Sequence, residues 1–279
     1  MTKTLNRCII STVKQRRELI KMKIDKRKNY YIVLDTEGLG LNNVKLKKYG
    51  QQKSYDIGYV IIDKKGNIVK VFNCLTKEVF GNPELMKTAY FYDKMPIYEQ
   101  MLNDKEITER LFVNIIRELK RDLKSFNIKG IFAYNCNYDI VALAETAQYT
   151  IKNCPKLTFT KTKTGKYKPE HEKLLQKLLE TKVEFYDIWT MACMTLCQQK
   201  TFLANAKYTK KGNIITNAET VYNYITDQTN FIEDHTAFSD ACIEAEILTR
   251  IFANGCKPQK QVSFPFRLIP KELYQNKVA

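Results

Sequence analysis

No apolar run in this sequence approaches the roughly 20 residues a membrane-spanning helix needs, so a bilayer-crossing protein is not expected. The first residues also lack a signal peptide's continuous apolar segment, because Lys14, Arg16, Arg17 and Glu18 interrupt it. Eight cysteines are present, but they follow neither a disulfide framework nor a zinc-finger spacing. Most lie inside apolar segments, as Cys74, Cys136 and Cys242 do, where a thiol packs as a small hydrophobe. Cys193 and Cys197 fall one helical turn apart, yet a zinc site would need two further ligands, and His171 stands in no finger spacing with them. Acidic residues are in short supply: 30 Asp and Glu against 46 Lys and Arg leave a formal net charge of +16. That excess predicts attraction to a polyanion, either nucleic acid or an anionic membrane surface. The membrane reading would need a better amphipathic face than residues 1–28 offer. The expectation is a soluble, cytoplasmic protein without a membrane partner.

What is present is an ordinary hydrophobic share, 44%, in 279 residues, enough for a proper core in one large domain or two small ones. Residues 1–28 form a basic arm, in which ten Lys and Arg from Lys3 to Lys28 face only Glu18 and Asp25. It reads either as an arm on phosphates or as a solvated segment. Tyr30 to Gly40 begins as an apolar β-run and ends in Asp35 and Glu37 just before glycines. A loop with Lys45, Lys47 and Lys48 follows, then strands over Tyr55–Asp63 and Ile68–Leu75, with Lys64-Lys65-Gly66-Asn67 as hairpin chemistry. Phe80 to Met101 is rich in aromatics with interleaved lysines, suited either to base stacking or to ordinary packing. Ile107, Leu111, Ile115, Leu119 and Leu123 predict a helix over 107–126, feeding a strand at Gly130–Tyr134. Asn135 or Asn137 is the expected N-cap of the next helix. Residues 150–182 read as a basic insertion, partly loop. Val183–Tyr186 is an edge strand leading to a helix with a core Trp189, and a short helix is expected near Val221. Ile243, Ile247 and Ile251 pattern a long helix, and the Pro-punctuated tail 255–279 packs over the surface or hangs loosely. Strands alternating with helices make the fold class α/β.

Four acids share one property: each sits at a strand end or helix start and points toward the core. Residues two apart in a strand share a face, so Asp35 and Glu37 project together. They repel each other unless a cation sits between them, and oxygen ligands suit Mg²⁺ or Mn²⁺. Asp139 falls on the apolar stripe of its own helix, where it needs a partner, either a metal or a capping role. Asp240 lines up with Ile243, Ile247 and Ile251. His235, about 140° away round a helix, fits the preceding loop instead, leaning over the same cavity. Four carboxylates, a histidine and a basic surround meet the needs of two-metal phosphodiester hydrolysis, with His235 as general base.

The constellation resembles the DEDDh exonucleases of the RNase H-like superfamily, which include proofreading subunits, RNase T and oligoribonuclease. The matching stretches are Asp35-Thr36-Glu37, Asn135 through Tyr138-Asp139, and His235-Thr236-Ala237-Phe238-Ser239-Asp240, in family order. The resemblance covers residues 29–254 and implies a single catalytic domain, a mixed sheet flanked by helices. It implies 3′→5′ exonuclease activity on single-stranded DNA or RNA 3′ ends, DNA favoured, with two Mg²⁺ or Mn²⁺ ions. Asp35, Glu37 and Asp240 would hold the first ion. Asp35 would bridge to the second, with Asp139 acting through water. Gly38, Leu39, Asn135 and Tyr138 would contact the substrate. A polymerase or other replication protein is a candidate partner, and the Lys- and Asn-rich composition is closer to phage or mobile-element relatives, hence a host cytoplasm. Tyr134 departs from the histidine many relatives carry before the Asn. An RNA trimmer of the RNase T type and a non-catalytic nucleic-acid-binding module stay open as alternatives.

Overall fold

A computed structural model of the chain describes residues 24–40, 52–154 and 167–274. Most of the basic arm, the loop with Lys45, Lys47 and Lys48, and residues 155–166 of the basic stretch lie outside the described residues. The strands are β1 (Tyr30–Gly38), β2 (Ser54–Asp63), β3 (Ile68–Thr76), β4 (Glu109–Arg110), β5 (Ile128–Ala133) and β6 (Phe185–Asp187). They form one mixed sheet in the order β4-β3-β2-β1-β5-β6. The β1-β2-β3 part is the expected antiparallel meander, with Gly66 taking the positive φ of its turn. β5 runs parallel to β1, and β6 parallel to β5. The helices used below are α1 (Met95–Asn103), α2 (Phe112–Ser125), α3 (Asn137–Thr150), α4 (Pro169–Leu178), α5 (Ile188–Met194), α6 (Ala218–Thr226) and α7 (Ala237–Ala253). Among the described residues no helix is long and apolar enough to cross a membrane.

β1 is central and covered on both faces, which is why its sequence is continuously apolar rather than alternating. Tyr30, Ile32 and Leu34 face one core with α2, α3 and α4. Tyr31 and Val33 face a second core with α5, α6 and α7. A smaller cluster of Leu39, Tyr55, Leu75, Val79, Leu85 and Tyr98 closes the end of the sheet where β1 stops. The two-residue period therefore turns Asp35 and Glu37 toward α7 and Thr36 toward α3.

Three local expectations are corrected. The helix expected over 107–126 begins only at Phe112, because Glu109–Arg110 pairs with the end of β3 and Leu111 is extended. Its first N–H is capped by the Glu78 carboxylate at 3.0 Å, and Phe112, Ile115, Ile116 and Leu119 make the buried stripe. Neither Asn135 nor Asn137 caps α3 with its side chain; Cys136 holds the cap position. The donors there go to distant acceptors: Cys136 N–H to Asp187 Oδ1 at 3.0 Å and Asn137 N–H to Gln261 Oε1 at 2.7 Å. Part of the basic stretch 150–182 is core rather than added surface, since α4 buries Leu174 and Leu175 against α3. Beyond Gly255 the chain packs back on the body, burying Ile269 and Tyr274 in the second core.

Candidate active site

β1 delivers Asp35 and Glu37, the start of α3 delivers Asp139, and the start of α7 delivers Asp240. All four line one cavity of about 570 Å³, with His235 at its rim. Two glycines make this convergence possible by close approach. Gly58 on β2 lies directly across from Asp35, and a Cβ there would strike the backbone of Ala237 and Phe238. The bare glycine lets the start of α7 close onto the sheet. Gly38 likewise leaves room for the Tyr138 hydroxyl, which a Cβ would overlap. The seat of α7 is fixed by Asp56, whose Oδ2 accepts the Ala237 N–H at 2.9 Å and the Tyr98 hydroxyl at 2.8 Å.

Glu37, Asp139 and Asp240 are buried and Asp35 is half-buried, and three of the four acids leave a carboxylate oxygen without a partner. Thr36 Oγ1 donates to Asp139 Oδ1 at 2.8 Å, while Asp139 Oδ2, Asp35 Oδ2 and Asp240 Oδ1 have no hydrogen-bond partner. Burial pushes the Asp139 carboxyl up to about 8, against the lowering effect of Thr36. Burial, then Glu244 and Asp139, raises Asp35 well above the usual carboxylate range. Glu37 is raised by burial and then by Asp240, and Asp240 by burial and then by Glu233 and Asp234. Buried carboxylates crowded in this way are unfavourable unless a cation neutralises them. Ligand atoms of Glu37, His235 and Asp240 lie within 4.8 Å of one another, a group able to hold an ion. Oxygen-rich donors with an imidazole alongside fit a hard divalent cation such as Mg²⁺ or Mn²⁺.

His235 sits in the loop before α7 with a positive φ of 55°, as its separation from the helical face of Asp240 requires. Its ring stacks on Phe91, with centroids 4.1 Å apart and planes 10° from parallel. Nδ1 lies 3.9 Å from both Asp240 Oδ2 and Glu233 Oε2, too far for a hydrogen bond to either. Burial, then Lys94, lowers its pKa, so the ring is neutral near pH 7. Leu39, Asn135 and Tyr138 line the cavity; Gly38 is not among its lining residues and packs under Tyr138 instead. Asn135 takes a left-handed φ of 63° and its Oδ1 accepts from Gln261 Nε2 at 2.6 Å. The aromatic stretch divides its labour. Tyr98 is fully buried, whereas Phe91 lines the cavity and Tyr90 stands 68% exposed beside it. The Tyr90 N–H donates to Gly38 O at 3.2 Å and the Gly40 N–H to Thr88 O at 2.6 Å, which ties that segment to the end of β1.

Three further lining residues, Glu244, Glu233 and Phe91, and one supporting residue behind the cavity, Gln261, carry weaker sequence signals or none. Glu244, one turn after Asp240, was visible as a second acid on an apolar helix face. Glu233, raised to about 7 by burial and then Glu219 and Asp234, looked like loop polarity. Phe91 was one aromatic among many. Gln261 carries no local signal at all.

No protein-family model matches the sequence, and no curated protein matches it significantly. Solved structures do match in fold. The crystal structure of a full-length 3′-exonuclease aligns at a TM-score of 0.51 and 12% identity, over 85% of this chain and 88% of that one. A 3′-exonuclease described as recognising the 3′ end of a histone mRNA stem-loop aligns at 0.47 and 10% identity, over 85% and 88%. E. coli Exonuclease I in complex with a dA16 oligonucleotide aligns at 0.45 and 11% identity, over 81% of this chain and 43% of that one. The mixed six-stranded sheet flanked by helices is thus a fold this chain shares with a 3′-exonuclease.

Proposed function

We propose that this protein is a divalent-cation-dependent 3′→5′ exonuclease of the DEDDh type, acting on single-stranded nucleic acid with DNA favoured. The observation that carries the reading is the meeting of Asp35, Glu37, Asp139 and Asp240, from three separate segments, with three buried oxygens left without partners. The shared fold and the net charge of +16 support it. Asp35, Glu37, Asp139 and Asp240 would hold two divalent ions, Mg²⁺ or Mn²⁺. Bound cations lower the pKa of the attacking water and stabilise charge on the phosphoryl oxygens. His235, neutral at pH 7, takes the water's proton as the water oxygen bonds to phosphorus. The P–O3′ bond then breaks and the departing O3′ takes a proton from solvent, which gives a nucleoside 5′-monophosphate and a new 3′-hydroxyl. Leu39, Asn135 and Tyr138 line the place of the terminal nucleotide, and Gly38 lets Tyr138 reach it. A proton on His235 removes the base, so the rate falls on the acid side.

Asp35→Ala tests the assignment. It removes a cation ligand and relieves repulsion without emptying core volume. Cleavage is expected to fall by at least about a thousandfold, with the fold and affinity for a 5′-labelled oligonucleotide retained. Turnover close to wild type with Mg²⁺ or Mn²⁺ would sink the site assignment.

A further inference from the structure

The segment after Gly255 runs back along the body and passes the cavity. The Asp187 N–H at the end of β6 donates to Gln259 O at 2.8 Å, and the Val262 N–H to Thr190 Oγ1 at 3.3 Å. Between them Gln261 Nε2 reaches Asn135 Oδ1 on the cavity wall. Three residues further on, Phe264 stands 55% exposed with a left-handed φ of 57°. A turn alone would take glycine or asparagine at such a φ, which disfavours a bulky side chain. The Phe264 ring gains no burial to offset this, whereas Phe266 packs against the second core. Arg267 lies over both rings, its guanidinium carbon 4.5 Å from the Phe264 centroid and 5.9 Å from that of Phe266. The arginine is exposed and makes no ion pair among the described residues. The bland account is an exposed phenylalanine shielded by an arginine stem, and it leaves the disfavoured backbone unexplained. The surroundings are basic: from Gly255 to Tyr274 the chain carries Lys257, Lys260, Arg267 and Lys271 against Glu272 alone. An aromatic face beside an unpaired arginine is the combination that takes a base and a phosphate of a single strand. Three residues of chain span at most about 11 Å, so the Phe264 backbone stays within that distance of Gln261, which touches the cavity wall.

We propose that Phe264 and Arg267 form a binding surface for the single strand upstream of its 3′ end, the ring stacking on a base and the guanidinium taking an adjoining phosphate. The inference rests on the reading of the cavity as a 3′→5′ exonuclease site and extends it to where the strand runs after leaving the cavity. Neither residue lies in the stretch 29–254 that carries the family resemblance. One face of the Phe264 ring holds Arg267, and the other is the face a base takes. Stacking uses no hydrogen-bonding edge, so the surface accepts any base sequence. It favours strands long enough to reach from the cavity to the ring over the shortest fragments.

The experiment is fluorescence anisotropy of 5′-labelled single strands of about 3 and about 12 nucleotides, either side of the roughly 4-nucleotide lower limit of strand-binding surfaces. It uses the full chain in chelator, so that binding is read without cleavage, for wild type, Phe264→Gly, Phe264→Leu and Arg267→Gln. Glycine removes the ring and suits the left-handed φ, so Phe264→Gly is expected to melt no lower than wild type. It is expected to lose about fivefold or more in affinity for the long strand and under about twofold for the short one. Phe264→Leu keeps apolar bulk without a stacking face, is expected to lose the same long-strand advantage, and decides alone if Phe264→Gly does not fold. Arg267→Gln is expected to lower the slope of log affinity against log salt by about 0.7, one phosphate on a single strand. A long-strand affinity unchanged in both Phe264 variants would overturn the inference and leave the ring a packing residue. Self-association of the wild type that disappears in Phe264→Gly, with strand affinity unaltered, would overturn it in favour of a contact between copies. A wild type that cleaves from the 3′ end with Mn²⁺ beside unaltered Phe264 variants overturns this inference alone. The expected binding losses in a protein that cleaves no strand with Mn²⁺ would keep the surface and sink the nuclease reading. A wild type that binds neither strand overturns both.

Discussion

Asp139 keeps one oxygen on the Thr36 hydroxyl and leaves the other bare in the cavity. A half-satisfied buried carboxylate calls for a completing partner, and among crowded acids a cation is the partner that fits. The acids themselves were legible from sequence, since strand and helix periods place Asp35, Glu37, Asp139 and Asp240 on core-facing positions. Their companions were not. Thr36 acts on Asp139 across 103 residues of sequence, and Phe91 reaches His235 only because the third hydrophobic cluster folds its segment over the end of β1. Phe91 holds the imidazole in plane, without a hydrogen bond at Nδ1 to do so. Phe91→Ala is expected to lower kcat by about tenfold or more through misplacement of the base, with stability changed by under about 1 kcal/mol because the ring is only half-buried. Steady-state kinetics beside urea unfolding check this; an unaltered kcat would mean the stack is incidental.

Element boundaries proved harder to read than element identities, for a physical reason. α2 starts at Phe112 and α3 at Asn137 because their first N–H groups find acceptors on Glu78, Asp187 and Gln261. Local capping signals cannot report a cap supplied from across the fold. Gln261 is the clearest instance, since one amide ties both Asn137 N–H and the Asn135 side chain at the turn that leads into Asp139. Gln261→Ala leaves those groups unpaired and is expected to cost about 1–3 kcal/mol and to lower activity more than stability alone accounts for. Denaturant titration with activity measured well below the transition separates the two effects. Full activity in the folded variant would show that Gln261 does not position the turn that carries Asp139.

Across the whole molecule the buried acids set how stability depends on pH. Asp56, Glu233 and Asp139 have values raised to about 6, about 7 and about 8, above the ~4 of the same groups in an unfolded chain. In that window the fold keeps protons that the unfolded chain has released, so stability without cation falls as pH rises from about 4 to about 8. Added Mn²⁺ competes with the proton on Asp139, and its stabilising effect grows over the same range. Thermal unfolding between pH 5 and 8, with Mn²⁺ and with chelator, measures both slopes. A Mn²⁺ effect independent of pH would mean that the crowded acids are not the ligands.

The α/β class, the meander and a helix feeding a further strand were expected from apolar runs and turn chemistry, whereas the parallel direction of β5 beside β1 was not. The close seating of α7 was not, since nothing near Gly58 in sequence announces Ala237 and Phe238. The central claim is that this seating assembles a cation-dependent nuclease. Digestion of matched 5′-labelled DNA and RNA single strands, with Mn²⁺ and with chelator, tests it most directly. The account predicts a ladder shortening from the 3′ end only with metal, faster on DNA. Tight binding of both strands with no cleavage of either would contradict it.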